Sequence, residues 1–298
     1  MTRTTVRRVS LSLALAAALA ATAACASSDG PGKDGPGKDG HAAHRSTPRP
    51  ASLAALRTAE RSTGRADSAR VESTTTMGSL MSMTADGTLS WGDGITGTLT
   101  ITYTGGTMAD TMRRLGTTSM EARYLPDAYY ARMGEKFAAN SGGRHWIRYA
   151  YDDLEHLAGT SGALLTEHMR GTTPQQSVKL LLASGDVRRV GEETVRGRRT
   201  THYSGTVDAA DVTDAGLRKQ LTEAGVSTET VDVWVDGQDL LVKKVEKVRT
   251  ATGLLTQTAH YGDYGVQVAA KRPPAADTED FEDLVRKQAG GTPLPHAS

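Results

Sequence analysis

A few groups of side chains in this sequence have types and spacings that chemistry uses. Cys25 is the only cysteine among 298 residues, so it can form neither an intramolecular disulfide nor a thiolate metal cluster. His41 and His44 stand as an H-x-x-H pair inside a Gly- and Pro-rich stretch, a weak metal site at best. Asp152, Asp153, Glu155 and His156 crowd together in "YDDLEH". They could ligate a cation, but acids at a helix start also answer the helix dipole, and that capping role is the preferred reading. Met77, Met81 and Met83, with Met108 and Met112, form an unusual methionine set. Thioethers fill irregular hollows in a core or line an apolar ligand site. Tyr124, Tyr129, Tyr130, Trp146, Tyr149 and Tyr151 form an aromatic group suited to sheet packing or to the mouth of a hollow. His145, His202 and His260 fall in expected strands, where a half-buried structural role is the common one. No G-x-S-x-G, H-E-x-x-H or P-loop is present, and no Gly-x-Gly-x-x-Gly follows a strand. The expectation is therefore a protein that is not an enzyme and that uses no metal and no cofactor.

The surroundings of Cys25 give it a different chemistry. "MTRTTVRRVS" carries Arg3, Arg7 and Arg8 and no acid, and "LSLALAAALAATAA" then runs apolar from Leu11 to Ala24. That run is shorter than the roughly 20 residues a membrane-spanning helix needs. A basic start, a short apolar run and small residues before the end make a secretory signal peptide over residues 1–24. Ala23 and Ala24 lead straight into Cys25, as in a bacterial lipobox, although Thr22 stands where Leu, Val or Ile is usual. In that motif the thiol receives a diacylglyceryl group and the chain is cut just before the cysteine. An acylated thiol also cannot form stray disulfides after export. Arg7-Arg8 leaves general secretion and twin-arginine export both open.

The rest of the chain must position these groups. Residues 25–50 include "GPGKDGPGKDG", a repeated five-residue unit, and are too polar to offset the entropy of ordering. They read as a flexible tether. Residues 51–298 read as a single domain. With 35 basic and 34 acidic side chains the net charge is +1, which gives none of the basic excess expected of a nucleic-acid partner. Period-two patterning dominates. In "TGTLTITYT", Leu99, Ile101 and Tyr103 point one way and Thr98, Thr100, Thr102 and Thr104 the other, the mark of a strand with one buried face. "WGDG" and "WVDGQDLLV" read as turns between strands. Helices are expected at Ser52–Ser62, at "TPQQSVKLLLASG" with Pro174 in its first turn, at "AADVTDAGLRKQLTEAG" and at "TEDFEDLVRK".

"VDVWVDGQDLLVKKVEK" followed by "YGDYGVQVAAKRPPAAD" resembles the closing strands of LolA-like superfamily lipoproteins, in particular the LppX/LprG group of actinobacteria. Trp234, Val235, Asp236, Leu240, Val245, Tyr264, Gly265, Val266, Pro273 and Pro274 carry the likeness. The resemblance implies an α+β fold, a strongly curved antiparallel half-barrel with helices over its concave face. It also implies a hollow that holds lipid in some members. Met77, Met81, Met83, Leu99, Ile101 and Tyr103 are the candidate lining of that hollow. The implied role is that of an exported lipoprotein, anchored by Cys25 at the outer face of the cytoplasmic membrane and carrying a lipid or acyl chain. An envelope protein-interaction or signalling module without a small ligand stays open beside it, and in either case the bilayer is a partner.

Overall fold

The computed structural model describes residues 49–154, 173–223, 226–250 and 253–289. Cys25, His41, His44, Glu155, His156, the signal-peptide boundary and the start of the tether lie outside the described residues, while residue 50, the expected tether end, is the first residue of α1. Helix α1 (Pro50–Arg65) starts with Pro at its first turn and buries Ser52, Leu56, Ala59 and Thr63. That spacing of three to four residues draws one stripe down one helical face. Asp67, with φ of 57°, turns the chain into the first strand.

The first half then forms β1 (Ser68–Met77), β2 (Met81–Ser90), β3 (Thr96–Gly105), α2 (Gly106–Arg114), β4 (Ser119–Tyr124), β5 (Ala128–Arg132), α3 (Glu135–Asn140) and β6 (Trp146–Ala150). The second half forms α4 (Pro174–Ala183), β7 (Arg188–Val195), β8 (Arg198–Asp208), α5 (Ala215–Glu223), β9 (Thr228–Asp236), β10 (Leu241–Thr250), β11 (Gly253–Gly262), β12 (Thr278–Asp280) and α6 (Phe281–Ala289).

All twelve strands join one sheet in the order β12-β6-β5-β4-β3-β2-β1-β11-β10-β9-β8-β7. Neighbouring strands are antiparallel apart from β12, which lies parallel to β6. The halves meet where β1 pairs with β11, with Val71 opposite Tyr261 and Met77 opposite Leu255. The sheet is large, open and curved. Two inward-facing glycines permit part of that curvature. A Cβ on Gly87 would lie 2.1 Å from the carbonyl oxygen of Thr98, and one on Gly97 would lie 2.2 Å from that of Thr88. Only a residue without a side chain lets β2 and β3 approach that closely.

The helices lie on one face. The main core takes Leu56 and Ala59 from α1, Met112 from α2, Phe137 from α3, Val178 and Leu181 from α4 and Leu221 from α5, with Phe281 and Leu284 of α6 packed against it. Two smaller apolar clusters cover parts of the opposite face, one around Tyr130 and Trp146 and one around Val195, Trp234 and Val242.

Two helices go beyond the sequence reading and two local expectations are corrected. "GTMADTMRR" is a helix, α2, where only a methionine set was read. "EKFAAN" is a short helix, α3. "TEDFEDLVRK" splits: Thr278–Asp280 is a strand and the helix begins at Phe281. Tyr264, Gly265 and Val266 are not a strand but a turn after β11. Positive φ at Asp263 (46°) and Gly265 (79°) ends the ladder there, and Val266 instead accepts a hydrogen bond from the Ser68 hydroxyl at 2.7 Å.

Candidate functional site

The inner face of the sheet, which carries the helices, is where the predicted lining residues meet. Strand register aligns them. Met77 pairs with Met81 and Thr75 with Met83 across β1 and β2. Met83 then lies opposite Tyr103, Ala85 opposite Ile101 and Gly87 opposite Leu99 across β2 and β3. Alternation by two puts all six on one face. Their burial is graded along it. Leu99 and Ile101 are 7 % exposed and belong to the packed core. Met83 and Tyr103 are half-buried against that core. Met77 and Met81 are half-buried at the end of the row, beside the β1–β2 turn.

Toward β6 the same face becomes a tyrosine layer. Tyr124 meets Tyr129 edge-on at 5.1 Å between ring centres, Tyr129 lies 5.7 Å from Tyr149, and Tyr149 lies 4.8 Å from Phe281. Burial, reinforced by neighbouring tyrosines, holds the hydroxyls of Tyr124, Tyr129 and Tyr149 well above their ordinary titration range. They are neutral dipoles at physiological pH and cannot serve as bases there. Tyr130 and Trp146 point to the opposite face, where Arg272 bonds the Tyr130 hydroxyl and Arg123 sits 4.4 Å over the Trp146 ring. The aromatic group read from the sequence is thus divided between the two faces.

Toward β9 the inner face carries a buried ionic group that the sequence reading missed. Lys244 Nζ lies 2.8 Å from Glu246 Oε2, and their side chains are 5 % and 14 % exposed. Glu229 is buried beside them. Burial would by itself push the Lys244 ammonium down, but Glu246, Tyr261 and Glu229 hold it above its ordinary value. The Glu229 carboxyl is pushed up to about 8, first by burial and then by Glu246, with Lys244 opposing. A β-bulge explains why the sequence misled. Leu241 pairs with Val235, but Lys243 already pairs with Trp234, so the register shifts between them. The shift sends Lys243 and Val245 to the outer face, beside Val242 and Trp234, and turns Lys244 and Glu246 inward.

A further concavity of about 200 Å³ lies between Trp91, Asp93, Gly94, Ile95, Leu125, Pro126, Tyr151 and Thr173. The Trp91 indole N–H, buried at its edge, has no acceptor among the described residues. The space is below the ~300–1,000 Å³ typical of drug-sized ligand sites.

The strand-associated histidines act as cross-links. His145, one residue before β6, bonds Asp277 at 2.7 Å and Glu135 at 3.2 Å. His202 bonds Asp232 at 2.9 Å and stacks on Trp234 at 4.1 Å. Asp152 and Asp153 lie in a helical turn that opens at Tyr151. Among the described residues no group of three or more His, Cys, Asp or Glu is placed to hold a metal ion.

A curved antiparallel sheet, with helices on its inner face and an apolar-to-tyrosine lining between them, defines a half-barrel of the lipoprotein type that the closing strands resemble. The chain belongs to the family of the Streptomyces coelicolor protein named "Putative lipoprotein SCO4650", with which it is 58% identical over 307 residues, covering 97% of this chain and 99% of that protein. Solved structures similar to it include LprF from Mycobacterium bovis, at 15% identity and a TM-score of 0.48, covering 77% of this chain and 100% of that one. Lipoprotein LppX of Mycobacterium tuberculosis is similar at 19% identity and a TM-score of 0.46, covering 75% and 100%. No family model matches the chain.

Proposed function

We propose that this protein is an exported, non-enzymatic lipoprotein, anchored through Cys25 at the outer face of the cytoplasmic membrane, whose inner sheet face holds the acyl chain of a lipid. The observation that carries the ligand reading is the graded row on the inner face. From the packed Leu99 and Ile101 the apolar surface continues through half-buried Met83 and Tyr103 to Met81 and Met77 at the sheet's end. Methionine adapts to a chain of variable shape, and apolar burial at roughly 25 cal/mol per Å² supplies the driving force. The lipoprotein name of the Streptomyces coelicolor relative and the Ala23-Ala24-Cys25 junction support the anchor. The test is binding of a fluorescent fatty-acyl probe and of total envelope lipid, read by titration and by native mass spectrometry. Saturable binding that Met83→Arg abolishes, with the melting profile kept, is the expected result. Absence of saturable binding to either overturns it.

One observation favours a second reading. Leu99 and Ile101 are covered by the protein's own side chains, so the inner face at their level is filled. If no lipid binds, the domain acts as an interaction module for another envelope protein.

A further inference from the structure

Among the described residues four large apolar side chains are more than a third exposed: Leu80, Val190, Leu254 and Val285. Two of them lie at the same end of the sheet. Leu80 closes the turn between β1 and β2, and Leu254 is the second residue of β11. Met77 at the end of β1 lies opposite Leu255, and a Cβ on Gly253 would come within 3.7 Å of Gly78. The β1–β2 turn and the first residues of β11 therefore form one tip of the sheet.

The tip is braced. The Leu80 amide donates to the Met77 carbonyl at 2.9 Å, and the first amides of α2, from Thr107 and Met108, donate to the carbonyls of Ser79 and Leu80 at 3.1 and 3.0 Å. These bonds hold Leu80, 39 % exposed, at the surface of the turn. Arg249, exposed, lies opposite Leu254 on β10, and exposed Lys247 precedes it on the same strand face. Leucine beside arginine and lysine matches a bilayer surface, with acyl chains beneath anionic phosphates. The apolar tip is also far smaller than the roughly 800 Å² per partner of a stable protein interface.

We infer that this tip docks on the anionic surface of the membrane to which the protein is anchored. The inference rests on the lipid-anchor reading of Cys25. A coil of the 25 residues from Cys25 to Arg49, as their composition predicts, has a typical span of roughly 25–30 Å. Such a tether gives the tip an effective concentration near millimolar at the surface. A contact too weak to hold a free protein is then populated. Docking by this tip brings Met77 and Met81, the outer end of the inner-face row, next to the bilayer, where an acyl chain can pass without crossing water.

The test uses the full lipidated chain in vesicles of phosphatidylcholine and phosphatidylglycerol. Acylation consumes Cys25, so Leu80→Cys, Leu254→Cys and Val190→Cys each add a single free thiol for an environment-sensitive fluorophore. Docking predicts a blue shift at positions 80 and 254, with quenching by spin-labelled lipid, and water-like emission at position 190 on edge strand β7. Water-like emission at all three positions in protein that floats with the vesicles overturns the docking and leaves the anchor intact. Protein that does not float removes the anchor, and the docking falls with it.

Discussion

Glu229 should make this protein lose stability as the solution becomes alkaline, and Glu229→Gln should abolish that loss. The residue is 7 % exposed and faces a cation, Lys244, already paired with Glu246 at 2.8 Å. One cation between two buried carboxylates leaves one negative charge in excess if both ionise. Protonating Glu229 removes the excess, and its carboxyl is accordingly pushed up from 4.5 to about 8 by burial and by Glu246. The sign is fixed by linkage. Between pH 4.5 and about 8 the folded state keeps a proton that the unfolded chain has released. The stabilisation is therefore complete below the unfolded value and is lost as pH rises through the folded one.

From pH 6 to pH 9 the loss spans about two units of differential protonation. At about 1.4 kcal/mol per unit that is on the order of 3 kcal/mol. For a domain of this size it corresponds to a fall in melting temperature of roughly 6–12 °C. Gln keeps the shape and the neutral state, so the variant should match the parent below pH 4.5, already exceed it at pH 6, and exceed it most at pH 9. Circular-dichroism melts of both proteins at half-unit steps measure this. The difference between the two curves isolates Glu229 from the histidines, which titrate in both. Parallel curves would refute the reasoning, because they would mean that Glu229 is ionised at neutral pH in the folded protein.

Two other outcomes rest on specific residues. Cys25→Ser should release the protein into the medium or leave its leader uncut, as read by fractionation and intact-mass measurement; a processed, membrane-held Cys25→Ser protein would exclude acylation at this position. His145 and His260 should titrate in a fixed order by NMR. Hydrogen bonds from its ring nitrogens to Asp277 and then to Glu135 raise His145 above 6.5, whereas burial and then Arg196 and Lys243 lower His260 below it. The His145 cross-link to Asp277 thus stabilises the C-terminal segment fully below pH 6.5 and is lost as pH rises through the higher folded value, so amide exchange at Thr278–Asp280 should quicken on that limb. The reverse order of the two histidines would contradict the geometry.

Where local pattern decided the structure, the sequence was readable. Leu99, Ile101 and Tyr103 alternate with threonines, and β3 follows that alternation. Pro50 and Pro174 open α1 and α4. Helix α2 was invisible for a definable reason. No side chain caps its N-terminus, and its first amides are satisfied by carbonyls of the β1–β2 turn, some 27 residues away in the chain. That partner is set by tertiary structure, so no local signal marks the start. Strand β12 has three residues, too few for periodicity to register. The turn at Asp263 and Gly265 carries a Gly-Asp-x-Gly sequence that reads as turn chemistry, but the aromatic and valine residues around it masked the signal.

The candidate site divides along the same line. Its apolar half was legible because Met83, Leu99, Ile101 and Tyr103 are placed by regular pairing. Its ionic half depended on one bulge. In "LLVKKVEKV" strict alternation from Leu241 would put Lys243, Val245 and Lys247 on the inner face. The register shift before Lys243 reverses this, and the gain is legible in contacts. Val242 and Val245 pack with Trp234, and Lys243 sits 4.0 Å over the Trp234 ring. The cost is the burial of Lys244 and Glu246 among apolar neighbours, which an ion pair offsets only when its geometry is good. Keeping a charged pair there gives the β9–β10 end of the inner face a buried polar limit.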